Sequence, residues 1–303
     1  MKKNRLGNSE LFVSEIGLGS MSLGDEKYKA IRIVHEAIDQ GVNFIDTADL
    51  YDFGENEQIL GEALKGKREE IILATKAGNS WNENKDSWHW DPSKKHIKSA
   101  VKDSLQRLKT DYIDLYQLHG GTIDDPIDET IEAFEELKSE GLIRYYGISS
   151  IRPNVIREYV KRSNISSVMM QYSILDRRPE EEILPLLEKK DISVIARGPL
   201  AKGMLTERAE EKIKDNGFLD YSKEEILQLN NKLSELTSKE FSKTQLALRY
   251  PLSNPAVATV IPGASSVEQL LDNVSAQNSP SLSDKQVSYI KEISKVNKYD
   301  KHR

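Results

Sequence analysis

Cysteine is absent from this chain of 303 residues. That absence excludes a disulfide framework, a thiolate metal site, an iron–sulfur cluster and a cysteine nucleophile. Histidine is scarce. His35, His89, His96, His119 and His302 show neither H-x-x-x-H nor H-E-x-x-H spacing, so no metal site is expected. Long apolar runs are missing too, far short of the ~18 residues that a membrane crossing needs. The start, MKKNRLGNSELFVSEIG, carries two lysines but no apolar signal core. A cytoplasmic protein with no membrane partner is expected. No basic block interrupts the balance of 43 Lys+Arg against 49 Asp+Glu, net charge -6. Nucleic acid is therefore not an expected partner, and the tail from Lys298 to Arg303 reads as a solvated terminus.

What is present is an alternation. Short runs rich in Ile, Val and Tyr, at 15–21, 43–48, 70–76, 112–119, 143–150, 166–173, 192–198 and 257–263, take turns with segments of helical period. In KKHIKSAVKDSLQRLK, for example, Ile97, Ala100, Val101, Leu105 and Leu108 share one helix face, with Asp91-Pro92 as the expected cap. Continuous apolar strands joined by helices imply a parallel sheet covered on its outside, and eight such units predict an α/β fold of the closed (β/α)8 TIM-barrel type. An open dinucleotide-binding sheet is the alternative. It should show G-x-G-x-x-G after the first strand, and Gly17-Leu18-Gly19-Ser20-Met21-Ser22 lacks the third glycine. Residues 3–13, with Gly7-Asn8-Ser9 as the turn, predict an N-terminal β-hairpin closing the barrel bottom. SLSDKQVSYIKEISKV predicts an extra C-terminal helix capped by Ser283. No linker or repeat divides the chain, so 1–303 reads as one domain. The insertion at 199–222 is charged and is expected to be mobile.

In such a barrel the chemistry sits at the C-terminal strand ends. Asp46 closes the second strand, Tyr51 follows it, Lys76 closes the third and His119 the fourth. Each alone is as well explained by a cap, a snorkelling side chain or a satisfied polar residue. Together they form a proton-transfer set.

GVNFIDTADLYDFGENEQILGEAL (41–64), ATKAG (74–78), LKTDYIDLYQLH (108–119), GLIRYYGISS (141–150) and IPGASSVEQLLDNVSA (261–276) resemble the aldo-keto reductase family along nearly the whole chain. The resemblance implies that Asp46, Tyr51, Lys76 and His119 are the family's catalytic tetrad, and the chemistry agrees. Tyrosine is a poor acid at its reference pKa of ~10, and a neighbouring cation favours the phenolate. Lys76 would be that cation, Asp46 its counter-ion, His119 the donor that orients the substrate oxygen, and Tyr51 the general acid. The hydride must come from a cofactor.

The resemblance further implies NADP(H) and its contacts. Gly19, Ser20 and Met21 would lie along the cofactor near Asp46, Ser149 and Gln171 would bond the carboxamide, and Arg197, Gly198, Pro199, Leu200, Ala201, Lys202 and Gly203 would hold the pyrophosphate. Gly263, Ser265, Gln269, Asp272 and Asn273 would surround the 2'-phosphate and adenine, partly at a helix N-terminus. Some positions depart from the family pattern. Ser150 stands where many members have Asn, and Arg197 where many have a stacking aromatic; arginine can also lie flat on a conjugated ring. Ser265-Ser266 replaces a basic residue beside the 2'-phosphate, leaving Arg208, Lys212 or Lys214 to add charge. Trp81, Trp88 and Trp90, all in one loop after Lys76, are candidate walls of the substrate pocket, and Gly120-Gly121 thins the chain beside His119.

These residues predict NADPH-dependent reduction of a small aldehyde or ketone. A slow-turnover NADP(H)-binding sensor or regulatory protein is the alternative, and a lyase with a Lys76 Schiff base is a third reading that a nearby Asp46 disfavours.

Overall fold

The computed structural model describes residues 1–303 apart from Glu83 and Glu240. In chain order the elements are β1 (Lys3–Arg5), β2 (Phe12–Ser14), β3 (Leu18–Gly19), α1 (Lys27–Asp39), β4 (Phe44–Asp46), α2 (Glu55–Ala63), β5 (Ile72–Ala77), β6 (Asn79–Trp81), β7 (Trp88–Trp90), α3 (Lys94–Leu108), β8 (Ile113–Leu118), α4 (Ile127–Ser139), β9 (Ile143–Ser149), α5 (Pro153–Arg162), β10 (Ser167–Gln171), α6 (Ile183–Lys189), β11 (Ser193–Arg197), α7 (Ala209–Lys212), α8 (Lys223–Ser234), α9 (Lys243–Leu252), β12 (Val257–Ile261), α10 (Val267–Ser275) and α11 (Asp284–Ile293).

Eight of the strands form one parallel sheet in the order β12-β11-β10-β9-β8-β5-β4-β3. Parallel bridges Ile16↔Val260 and Gly19↔Gly263 bring its two edges together, closing the (β/α)8 barrel. The predicted runs supply all eight strands, although the first shrinks to Leu18–Gly19 because a 3-10 turn at Ser20–Ser22 ends it.

The bottom is closed by the antiparallel β1-β2 hairpin. Leu6, Leu11 and Val13 from it pack with Phe44, Ala74, Leu115, Met169, Ile195 and Ala258 in the barrel's inner core. Gly7 makes this plug possible: its φ is +54°, and a Cβ there would lie 2.2 Å from the Ser166 carbonyl oxygen.

Helices cover the outside through their apolar stripes. On α3 the buried residues are Ile97, Ala100, Val101, Ser104 and Leu108. Its cap is Ser93, which accepts from the His96 amide, rather than Asp91; Asp91 instead accepts from the Ser93 amide, two residues too early to cap. Ser283 caps α11 in a reciprocal box with Gln286, as expected. The segment 199–222, read as a charged mobile insertion, packs on the barrel through Ala201, Met204, Leu205, Ala209, Ile213 and Tyr221, which are buried. Its charges hide that apolar spacing in the sequence. Among the described residues no helix is long and apolar enough to cross a membrane.

Candidate active site

The ends of β4, β5 and β8, with the turn that follows β4, bring the expected residues to one mouth of the barrel. Lys76, wholly buried near the end of β5, donates to Asp46 Oδ2 at 2.8 Å, to the Thr47 carbonyl at 2.7 Å and to the Tyr51 hydroxyl at 3.1 Å. An ammonium has three donors, and all three are used. The Tyr51 oxygen accepts from Lys76, so its own hydrogen is left to donate outward. His119 meets Tyr51 edge-on, with ring centroids 5.8 Å apart. Its Nδ1 is buried without a partner among the described residues.

Electrostatics separate the roles of these groups. Burial pushes the Asp46 carboxyl up from its ordinary value, and Lys76 pulls it back. Burial disfavours the Lys76 cation, but the charges of Asp46 and Tyr51 outweigh it and hold the ammonium above its ordinary value. The His119 imidazole is pushed down to about 3 by burial first and then by Lys76 and Arg197, so it is neutral at physiological pH.

Just outside the barrel wall lies a polar cluster that strand-end reasoning missed. Glu57, fully buried on α2, accepts from Thr75 Oγ1 at 2.6 Å and Arg107 Nε at 2.7 Å. Asp49 and the Tyr116 hydroxyl are buried beside it with no hydrogen-bond partner among the described residues. The available signal was Glu57 itself, which stands on the apolar face with Leu60, Gly61 and Leu64 at helical spacing. Asn56 is a second such residue: it accepts from the Ser20 and Thr47 hydroxyls at 2.5 and 2.7 Å, tying the first strand end to the second.

The expected cofactor residues lie on the same rim. Ser149, Gln171 and Arg197 end the adjacent strands β9, β10 and β11, and their side chains make no hydrogen bond or ion pair among the described residues. An unpaired, largely desolvated guanidinium, its pKa lowered by burial, is suited to an anionic ligand. Next to it Gly198 has φ +63° and open space where a Cβ would stand, and Ala201, Lys202 and Gly203 are all left-handed. Pro199 and Leu200 lie between them. Such a backbone cradle suits a pyrophosphate.

At the far end, Ser265 and the α10 cap Ser266 face Gln269, whose side-chain oxygen accepts from the Ser265 amide and hydroxyl. Asn273 donates to the Gly263 carbonyl and Asp272 accepts from Thr244, while Arg208 is exposed. Gly19 ends β3 and Met21 is 65% exposed above it, whereas the Ser20 hydroxyl is committed to Asn56. The donor set fits a dinucleotide of the nicotinamide type.

The tryptophans form a rim hairpin in which β6 pairs with β7 and Trp81 faces Trp88. Trp90 donates to Asp125 at 3.0 Å and lies against Gly78 and Gly120. Trp81 meets Phe53 edge-on at 6.1 Å, and Trp88 is largely exposed.

The chain is 59% identical over 307 residues, covering 100% of both chains, to an uncharacterized oxidoreductase, YqkF, of Bacillus subtilis (strain 168). It is 33% identical to the NADH-specific methylglyoxal reductase of Escherichia coli (strain K12), covering 98% of this chain and 99% of that one. Among solved structures, the holo form of aldo-keto reductase AKR11C1 from Bacillus halodurans superposes with a TM-score of 0.95 at 56% identity, covering 100% and 99% of the two chains. The model of the Aldo/keto reductase family matches residues 15–295. With that match over a closed barrel whose Asp, Tyr, Lys and His meet at one mouth, the chain belongs to the aldo/keto reductase family of oxidoreductases, which bind nicotinamide cofactors.

Proposed function

We propose that this protein reduces a small aldehyde or ketone to its alcohol with NADPH, Tyr51 giving the proton. The observation that carries the reading is the Lys76 ammonium, with one counter-ion and one phenol on the same nitrogen. When bound, the dinucleotide supplies the hydride. The chain's own residues handle the rest. Tyr51 turns its hydrogen toward the carbonyl oxygen, Lys76 stabilises the phenolate left behind, and Asp46 holds Lys76 charged and in place. Neutral His119 offers an N–H that orients the same oxygen without delivering a proton that would titrate near neutrality. In the alcohol-oxidising direction the phenolate is the base.

NADPH is favoured over NADH by the exposed Arg208 guanidinium, which can pair with a 2'-phosphate, and by the N-terminus of α10, where backbone amides favour an anion. Small reactive carbonyls are the substrate class, in keeping with the name of the Escherichia coli relative, and Trp81 and Trp88 would wall the pocket. The three commitments of Lys76 Nζ leave no lone pair for a Schiff base. The regulatory reading explains no feature of this site that catalysis leaves over.

The test is NADPH consumption with nitrobenzaldehyde and methylglyoxal. Wild type should exceed Tyr51→Phe by about 100-fold or more in kcat, and equal rates sink the catalytic assignment. Titration should show tighter NADPH than NADH; equal affinity removes the preference.

A further inference from the structure

Gln117 is wholly buried two residues before His119, in parallel register with Lys76 of β5. Neither of its amide atoms makes a hydrogen bond among the described residues, and neither does Asp46 Oδ1, the carboxylate oxygen that Lys76 leaves free. A buried amide without a partner is destabilising, whereas an apolar residue of the same volume carries no such penalty. An amide kept at such a place has a use. Gln117 is moreover close enough to the Asp46 carboxylate to help hold it charged.

We propose that Gln117 is a positioning residue of this site: its amide N–H serves Asp46 Oδ1 and so fixes the carboxylate that holds Lys76 and, through it, Tyr51. The inference rests on the reductase reading above. A carboxylate bound through one oxygen can swing about its last torsion, and the second contact removes that freedom. The groups facing Asp46 are Lys76 from β5, Arg197 from β11 and Gln117 from β8, with Tyr51 beyond Lys76. The two cations set the charge of the carboxylate, and the amide sets its orientation.

Two variants test this. Gln117→Met keeps the volume and removes the donor. It should lower kcat about five-fold, the worth of one hydrogen bond, with the KM for the aldehyde within about two-fold because the side chain does not reach substrate. The acid limb of the kcat profile should move to higher pH, since the charged form of Asp46 loses a donor. Without cofactor, its melting temperature should fall further below wild type near pH 7 than near pH 4, because only an ionised Asp46 misses the amide; a role in packing alone gives the same deficit at both. Gln117→Glu should be slower than Gln117→Met at pH 8, where two carboxylates face each other, and should recover toward pH 5 as one takes up a proton. Rates and acid limbs that overlay wild type, or a deficit in melting temperature that ignores pH, overturn the proposal. If wild type shows no turnover, the reductase reading fails, and the melting comparison still decides the role of Gln117.

Discussion

The Lys76 ammonium lies 3.1 Å from the Tyr51 hydroxyl and 4.8 Å from the centre of its ring, so one cation addresses both the oxygen and the π-face of the same phenol. The ring contact fixes where the phenol stands, and the hydrogen bond fixes which way its proton points. Both depend on Asp46, which balances a charge that the barrel interior would otherwise expel.

Lys76→Met should therefore do more than abolish turnover. It leaves the Asp46 carboxylate buried without its cation, which costs about 3–5 kcal/mol. Adding Asp46→Asn removes the stranded charge and should restore part of that loss. Urea unfolding of the two singles and the double measures the coupling; strictly additive losses would mean that the two groups do not interact.

His119 should leave a mark on acid stability. Unfolded, it takes up a proton near pH 6.5; folded, it resists until about 3 because burial and the neighbouring cations disfavour its charge. Between those values the unfolded state binds the extra proton, so stability falls as pH drops through 6.5 and goes on falling toward 3. At pH 5 the share owed to this partly buried ring is up to about 2 kcal/mol. Denaturation of His119→Gln at pH 7 and pH 5 should show a smaller acid loss than wild type. An identical loss means that the ring protonates freely in the folded protein.

Asp49 carries the opposite sign of pH dependence. Burial and then the Glu57 carboxylate push its pKa well above the ordinary range. The unfolded group releases its proton near 3.9, the folded one only at higher pH, so this residue lowers stability as pH rises through that window. Asp49→Asn should match wild type near pH 4 and exceed it at pH 8 by about 1–2 kcal/mol. Equal stability at pH 8 would show that an ionised Asp49 is satisfied in the folded state.

The site was legible in the sequence where polar residues break apolar strand ends. Asp46, Lys76 and His119 stand out because their neighbours Phe44, Ile45, Ala74, Leu115 and Leu118 must be buried, and Tyr51 stands out through its distance from Asp46. Glu57 and Gln117 were not legible in that way. A lone carboxylate on a helix or an amide in a strand reads as a solvated face until its neighbours are known, and those neighbours come from elements 18 to 50 residues away for Glu57. The insertion at 199–222 misled for a related reason: its charges outnumber the apolar residues that anchor it.

The alternation of apolar runs and helical stripes determined the barrel by itself, because continuous burial on both faces of parallel strands has few other solutions. It also singled out the strand ends on which the candidate residues Asp46, Lys76 and His119 stand. Only the tertiary structure decided that three donors of one ammonium are all taken, that the Tyr51 hydroxyl accepts from one of them, that His119 is neutral and that Lys76 holds Asp46 through one oxygen alone. Those are matters of distance and desolvation. They arise only when the strands curl until β3 meets β12 and set groups from different strand ends within hydrogen-bond reach in a medium without water.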